Sequence, residues 1–316
     1  MGIRYSEMFY SFQGEAELAG VPAVWLRFFG CNLECAGFGQ KDPTDPTTYV
    51  LPYQDYDLTN ITKNEELPVW KTGCDSSYSW SSRYKHLAHD ATAAEIAQRM
   101  IDMNKSEHNP EGLFNHPKTG LDTMVCFTGG EPMLYQQAMI DILRALFDLG
   151  NMPRIVTVET NATRPISPDL LDYIRFEFAG VQGGRWDFRW HWAMSPKLFS
   201  VSGEANAIKP EIIASYIQIY APGPGRMPPV RKATAVLKFV GNGTQKNWDE
   251  LDAALKVIRL KLVPDENPSV WIMPVGARAE EQGPEFLGPI CREAMRRGYN
   301  VAMRTQIFAF GNVIGS

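Results

Sequence analysis

Cysteine is scarce here: five residues in 316, too few for a disulfide framework. In a reducing compartment, clustered thiols then point to metal ligation or catalysis. No run of about 18 apolar residues occurs, which excludes a spanning helix. The opening stretch MGIRYSEMFYSFQGE lacks an apolar signal core, so a cytoplasmic location is expected. Basic charge is not in excess either. Thirty-one Lys and Arg stand against 36 Asp and Glu, a net charge of −5, which argues against a broad nucleic-acid-binding face. Internal repeats and low-complexity tracts are also missing. What is present is ordinary globular material, 44% hydrophobic and 21% charged. The length admits one large domain or two small ones.

The chain reads as strand then helix, several times over. Residues 21–29 are a short run of Val and aromatics, hence a buried strand. Thr92 and Glu95 fit a capping box that opens a helix. Residues 124–127 form a strand running into Thr128-Gly129-Gly130, and 136–149 carry Met139, Ile142, Leu143 and Leu146 at helical spacing. Further strands are expected at 155–158, 235–240 and 270–273. Further helices are expected from Ser167-Pro168-Asp169, over 247–260 and over 284–297. Such alternation implies an α/β fold with parallel strands and outer helices, whose ligands sit at the carboxyl ends of the strands. Residues 36–73 break the pattern with prolines, tyrosines and polar residues and read as an irregular inserted flap in one domain spanning 1–316. Residues 179–190 and 221–231 read as long loops.

Chemistry concentrates after the strands. Cys31 and Cys35 directly follow the first, in GCNLEC, and Cys74 follows the insertion, in GCDSSYSW. Three thiolates could hold three irons of a [4Fe–4S] cluster and leave the fourth iron open. A zinc site completed by His86 or His89, or buried free thiols, would use the same residues. Thr128-Gly129-Gly130-Glu131-Pro132 lies between a strand and a helix. Its glycines let backbone approach a ligand, and Glu131 with the backbone groups could receive an ammonium.

Together the cysteine triad and the GGEP turn resemble the radical S-adenosylmethionine superfamily. The resemblance narrows to 7-carboxy-7-deazaguanine synthases through FYSFQGE at 9–15, GVPAV at 20–24, Arg27 and GCNL at 30–33. It continues through Cys74-Asp75-Ser76, ETNAT at 159–163, Ser195-Pro196-Lys197 and Met273-Pro274-Val275-Gly276. It implies a partial, open (β/α) barrel of the radical S-adenosylmethionine type with irregular insertions, often a homodimer. The activity it implies is ring contraction of 6-carboxy-5,6,7,8-tetrahydropterin to 7-carboxy-7-deazaguanine with release of ammonia. The cofactors implied are a [4Fe–4S] cluster, S-adenosylmethionine and Mg²⁺, with a flavodoxin-like or other reductant as electron source.

Carried over by that resemblance, Cys31, Cys35 and Cys74 ligate the cluster and Ser76 the Mg²⁺. Gly73, Asp75, Gly130, Glu131, Ser195, Pro196, Lys197, Met273, Pro274, Val275 and Gly276 bind S-adenosylmethionine. Phe12, Gln13, Gly14, Glu15, Arg27 and Thr128 meet the pterin, with Glu15, Arg27 and Glu159 carrying catalytic roles. Arg27 suits bidentate pairing with the 6-carboxylate. The chain departs from the pattern in three places: 38 residues separate Cys35 from Cys74, Ala162 stands where glycine is commoner, and Arg304-Thr305-Gln306 lacks a common histidine. Two other readings remain: an activating enzyme acting on a glycyl-radical protein, and a metal-binding scaffold without catalysis.

Overall fold

The computed structural model describes residues 2–178, 188–219, 233–264, 266–311 and 313–315. Nine strands form one sheet in the order β3-β1-β2-β4-β5-β6-β7-β8-β9. These are β1 (Ile3–Phe12), β2 (Pro22–Phe28), β3 (His89–Ala91), β4 (Met124–Gly129), β5 (Ile155–Thr160), β6 (Arg189–Met194), β7 (Ala233–Gly241), β8 (Ser269–Pro274) and β9 (Asn300–Val301). From β2 through β9 every neighbouring pair is parallel, while β1 pairs antiparallel with both β2 and β3. The sheet does not close, so the α/β class and the partial, open barrel expected from the sequence both hold.

Strand alternation sorts the side chains into two environments. Val24, Leu26, Phe28, Val125, Phe127, Val156, Val158, Trp190, Trp192, Leu237 and Phe239 face outward into the main core, against the helices. Those helices carry one apolar face each: Ile96, Ala97, Met100 and Ile101 on Ala93–Met103, and Met139, Ile140, Ile142, Leu143 and Leu146 on Gln136–Asp148. The Thr92 capping box forms as expected, each partner bonding the other's backbone N–H. Ala23, Trp25, Met124 and Cys126 face inward and fill a smaller cluster at the base of the barrel. Cys126 is therefore a core thiol. His191, also inward, bonds Thr234 through Nδ1 at 2.6 Å.

Two parts differ from the expectation. Strand β1 was hidden because IRYSEMFYSF mixes polar and apolar residues without clean alternation. Strand β6 begins at Arg189, inside a stretch read as loop; the rest of that stretch through 187, and 221–231, lie outside the described residues. The 36–73 segment is irregular, as expected, built from short 3₁₀ turns and one four-residue helix at Pro52–Asp55. It is nevertheless packed: Tyr53, Leu67 and Trp70 share a second apolar cluster with Tyr78, Tyr84, Leu87 and Ile314.

The open sheet is strapped at one end. Beyond β9, Thr305 donates its backbone N–H and its hydroxyl to the Gly14 carbonyl beyond β1, both at 3.0 Å. Phe310 packs on Phe12 with ring centres 5.5 Å apart. This strap ties the two ends of the open sheet together beside the carboxyl ends of the parallel strands.

Candidate active site

A cavity of about 700 Å³ opens at those strand ends. Its size suits a pair of small organic ligands. Cys31, Cys35 and Cys74 all line it. Cys31 and Cys35 each sit close enough to Cys74 for a charge on one to disfavour a charge on the other. The 38-residue excursion between the second and third cysteines therefore returns to its starting point. Four contacts anchor the return: Gly73 N–H to the Phe38 carbonyl at 2.8 Å, Gly30 N–H to the Ser79 carbonyl at 2.7 Å, Tyr78 hydroxyl to Glu7 at 2.8 Å, and Arg304 to Asp75 at 3.0 Å.

All five cysteines are free thiols. Burial pushes Cys31 up to about 12, raises Cys74, and drives Cys35 well above its ordinary value. The surroundings partly offset this: the Leu33 N–H reaches the Cys31 sulfur at 3.4 Å, and Lys197 favours the thiolate at Cys31 and Cys35. Cys35 adopts a left-handed conformation (φ 51°), and Glu204 accepts the N–H groups of Glu34 and Cys35. Glu204 was not foreseen as part of this turn. Among the described residues, no three His, Cys, Asp or Glu side chains close round one point as ligands of a single ion would. A cluster takes one thiolate per iron, so three separated thiols on one wall match its donor needs. His86 and His89 are exposed and belong to neither arrangement.

The glycine turn does more packing than the sequence suggested. A Cβ on Gly130 would lie 2.2 Å from the Gly30 carbonyl oxygen, and one on Gly129 (φ 132°) 2.4 Å from that of Phe28. The β4 turn thus lies directly against the turn that carries Cys31, and only glycine permits the approach. Glu131 is wholly buried, does not line the cavity, and accepts bonds from Thr160 Oγ1 (2.6 Å), Asn161 N–H (2.8 Å) and Met133 N–H (3.0 Å). Its carboxylate braces the turn after β4 against β5. Asn161 completes the brace by donating to Asn32 at 3.2 Å. Ala162 sits at φ 56°, in the left-handed region where glycine is at ease.

Elsewhere around the cavity the lining strand positions turn polar. Arg27 and Thr128 face each other across β2 and β4, and Glu159 lies on β5. Arg27 Nε–H pairs with Glu7 at 2.7 Å, and its guanidinium lies 5.6 Å over the Tyr78 ring. The terminal nitrogens of its fork remain the groups that can meet a ligand anion. Gln13 donates to Glu159 at 3.2 Å and accepts the Glu15 N–H at 3.0 Å.

Two unforeseen residues organise this region. Lys238 on β7 donates to Glu15 at 2.7 Å and Glu159 at 3.0 Å. Arg304 stands 3.6 Å from the other Glu15 oxygen. Burial opposes ionisation of Glu15, but Lys238 and Arg304 outweigh it and hold its carboxyl at about 2. Lys238 left one clear trace in the sequence: a single charge inside the apolar run ATAVLKFVG. Arg304 left none, because it follows a two-residue strand.

Phe12, Gln13, Gly14, Glu15, Arg27, Gly73, Asp75, Ser76, Thr128, Gly130, Glu159, Ser195, Lys197, Met273, Val275 and Gly276 all border the cavity. Pro196 and Pro274 do not, and like Glu131 they shape the turns behind it. Lys197 donates to Ser195 at 2.9 Å, and the Ser76 hydroxyl lies 3.5 Å from the Cys74 sulfur.

No family model matches the chain. The 7-carboxy-7-deazaguanine synthase of Pyrobaculum aerophilum is 24% identical over 314 residues, 99% of this chain and 97% of that protein. That of Rhodopirellula baltica is 26% identical over 316 residues, 98% and 88% of the two. That of Halobacterium salinarum is 30% identical over 159 residues, half of this chain and 38% of its own. Among solved structures, the crystal structure of QueE from Escherichia coli aligns over 96% of this chain and 94% of its own at TM-score 0.49 and 16% identity. Two alignments run nearly the length of both partners, and along that length this chain is similar to 7-carboxy-7-deazaguanine synthases.

Proposed function

We propose that the chain is a radical S-adenosylmethionine lyase that contracts the ring of 6-carboxy-5,6,7,8-tetrahydropterin to 7-carboxy-7-deazaguanine and releases ammonia. The observation that carries this reading is one cavity lined both by three thiols and by Gln13, Glu15, Arg27 and Glu159. A glycyl-radical activating enzyme has no use for that second set.

Cys31, Cys35 and Cys74 would hold the [4Fe–4S] cluster, with Gly130, Ser195, Lys197 and the Met273–Gly276 turn around S-adenosylmethionine. When bound, these groups would supply the radical chemistry of the reaction. The chain's own residues orient and shield. Arg27 offers its free fork to the 6-carboxylate. Glu15 and Glu159 accept N–H groups of the pterin, and Gln13 serves either polarity. Thr128 borders the same space. Ser76, beside Cys74, offers a hydroxyl for Mg²⁺, with substrate and water completing an oxygen shell. A flavodoxin-like or other reductant and a homodimer belong to this proposal, as does a cytoplasmic setting.

The test is anaerobic reconstitution with iron and sulfide, then incubation with the pterin, S-adenosylmethionine and dithionite. Formation of the deazapurine with 5′-deoxyadenosine is expected. Cofactor cleavage without the deazapurine would shift the assignment to another radical enzyme.

A further inference from the structure

Lys238 has 3% of its surface exposed. An ammonium this deep is retained only where it is paired on more than one side. Its two partners come from distant parts of the chain, Glu15 beyond β1 and Glu159 on β5. Both carboxylates line the cavity. One nitrogen bonds both carboxylates, so Lys238 fixes their relative position. Gln13 donates to the same Glu159 oxygen that Lys238 holds. The second Glu159 oxygen has no hydrogen-bond partner among the described residues. Each oxygen of Glu15 also keeps accepting capacity.

We propose that Lys238 is a positioning residue for substrate selection: it locks Glu15 and Glu159 into one acceptor pair for an edge of the ligand that carries two adjacent N–H donors. This rests on the pterin-transforming reading. The 2-amino-4-oxopyrimidine ring of a pterin has such an edge, an amino group next to a ring N–H. Lys238 acts through the two glutamates and needs no contact with the ligand. A ring that presents acceptors there, with no N–H beside the amino group, would meet two anions and be refused.

The experiment measures binding of oxidised 6-carboxypterin to the protein without iron, by quenching of pterin fluorescence. Circular dichroism verifies folding. The parent protein should bind. Lys238→Met should weaken binding by about 30-fold or more. Lys238→Arg should recover it to within about fivefold, because a guanidinium can still bridge both carboxylates. If Lys238→Met fails to fold, Lys238→Gln, which keeps an N–H donor but no charge and leaves both glutamates in place, replaces it with the same threshold. Binding within about threefold of the parent in the Met variant overturns the proposal. So does equal loss in folded Met and Arg variants. A parent protein that binds no pterin overturns the functional reading instead, and the two failures are thereby distinct.

Discussion

The two walls of the cavity are built by different means. The polar wall hangs on strands. Arg27, Thr128, Glu159 and Lys238 take their positions from sheet register and their charges from one another, through Glu7, Glu15 and Arg304. The thiol wall hangs on turns. Cys31, Cys35 and Cys74 are held by close backbone approaches at Gly30, Gly73 and Gly130. A wall of mutually paired charges is settled before a ligand comes. A wall of protonated thiols is completed only by what it binds.

That contrast can be broken from either side. The largest effect is expected from Cys74→Ala: the reconstituted protein should lose its cluster absorbance and all deazapurine formation, with its circular dichroism unchanged. Retention of a stable cluster would remove Cys74 from the thiol wall. Gly130→Ala should come next, because its Cβ would strike the Gly30 carbonyl. A loss of about 2–4 kcal/mol in denaturant unfolding is expected, with poor iron incorporation.

The strand side is tested through acid. Burial, reinforced by Lys238 and Arg189, holds His191 at about 3, far below the free imidazole. The unfolded chain binds a proton there below about pH 6.5 and the folded chain does not, so stability present above that pH is lost as pH falls. The loss should reach roughly 2 kcal/mol by pH 5. His191→Gln should flatten this limb between pH 6.5 and 4.5. Below that, protonation of Glu15, whose folded value is also depressed, would still erode stability as pH falls toward 2. A parent protein equally stable at pH 7 and 5 would contradict the assignment.

The smallest effect should come from Arg304→Gln, which removes the tie between Asp75 and Glu15. About 1–2 kcal/mol is expected, with faster alkylation of Cys74 in the iron-free protein as its loop loosens. Unchanged alkylation would show that the backbone contacts alone hold the third cysteine.

Strands β2, β4, β5, β7 and β8 are legible because a buried parallel sheet leaves short Val-rich runs between helices of clear period, whereas β1, β3, β6 and β9 leave no such run. The cavity position followed from that, since ligands collect at the carboxyl ends of such strands. Three features are less legible, for physical reasons. The sequence offers Glu131 as an ammonium acceptor through the GGEP turn, but the turn sends its side chain back into the protein, where it bonds Thr160 and Asn161. The flap hid its own small core, since Tyr53, Leu67 and Trp70 follow no period and are completed by residues outside it. Lys238 and Arg304 belong to a network joining residues 15, 75, 159, 238 and 304, and linear reading has no access to such distant pairings.

The strap from Thr305 to Gly14 spans 291 positions of sequence. During synthesis the amino-terminal block emerges long before its counterpart exists. Contacts of such separation form late, because loop closure must come first. The side of the cavity that carries Glu15 is therefore unfinished until residues 304–310 have left the ribosome, and a nascent chain halted short of Arg304 would carry its three thiols without that latch.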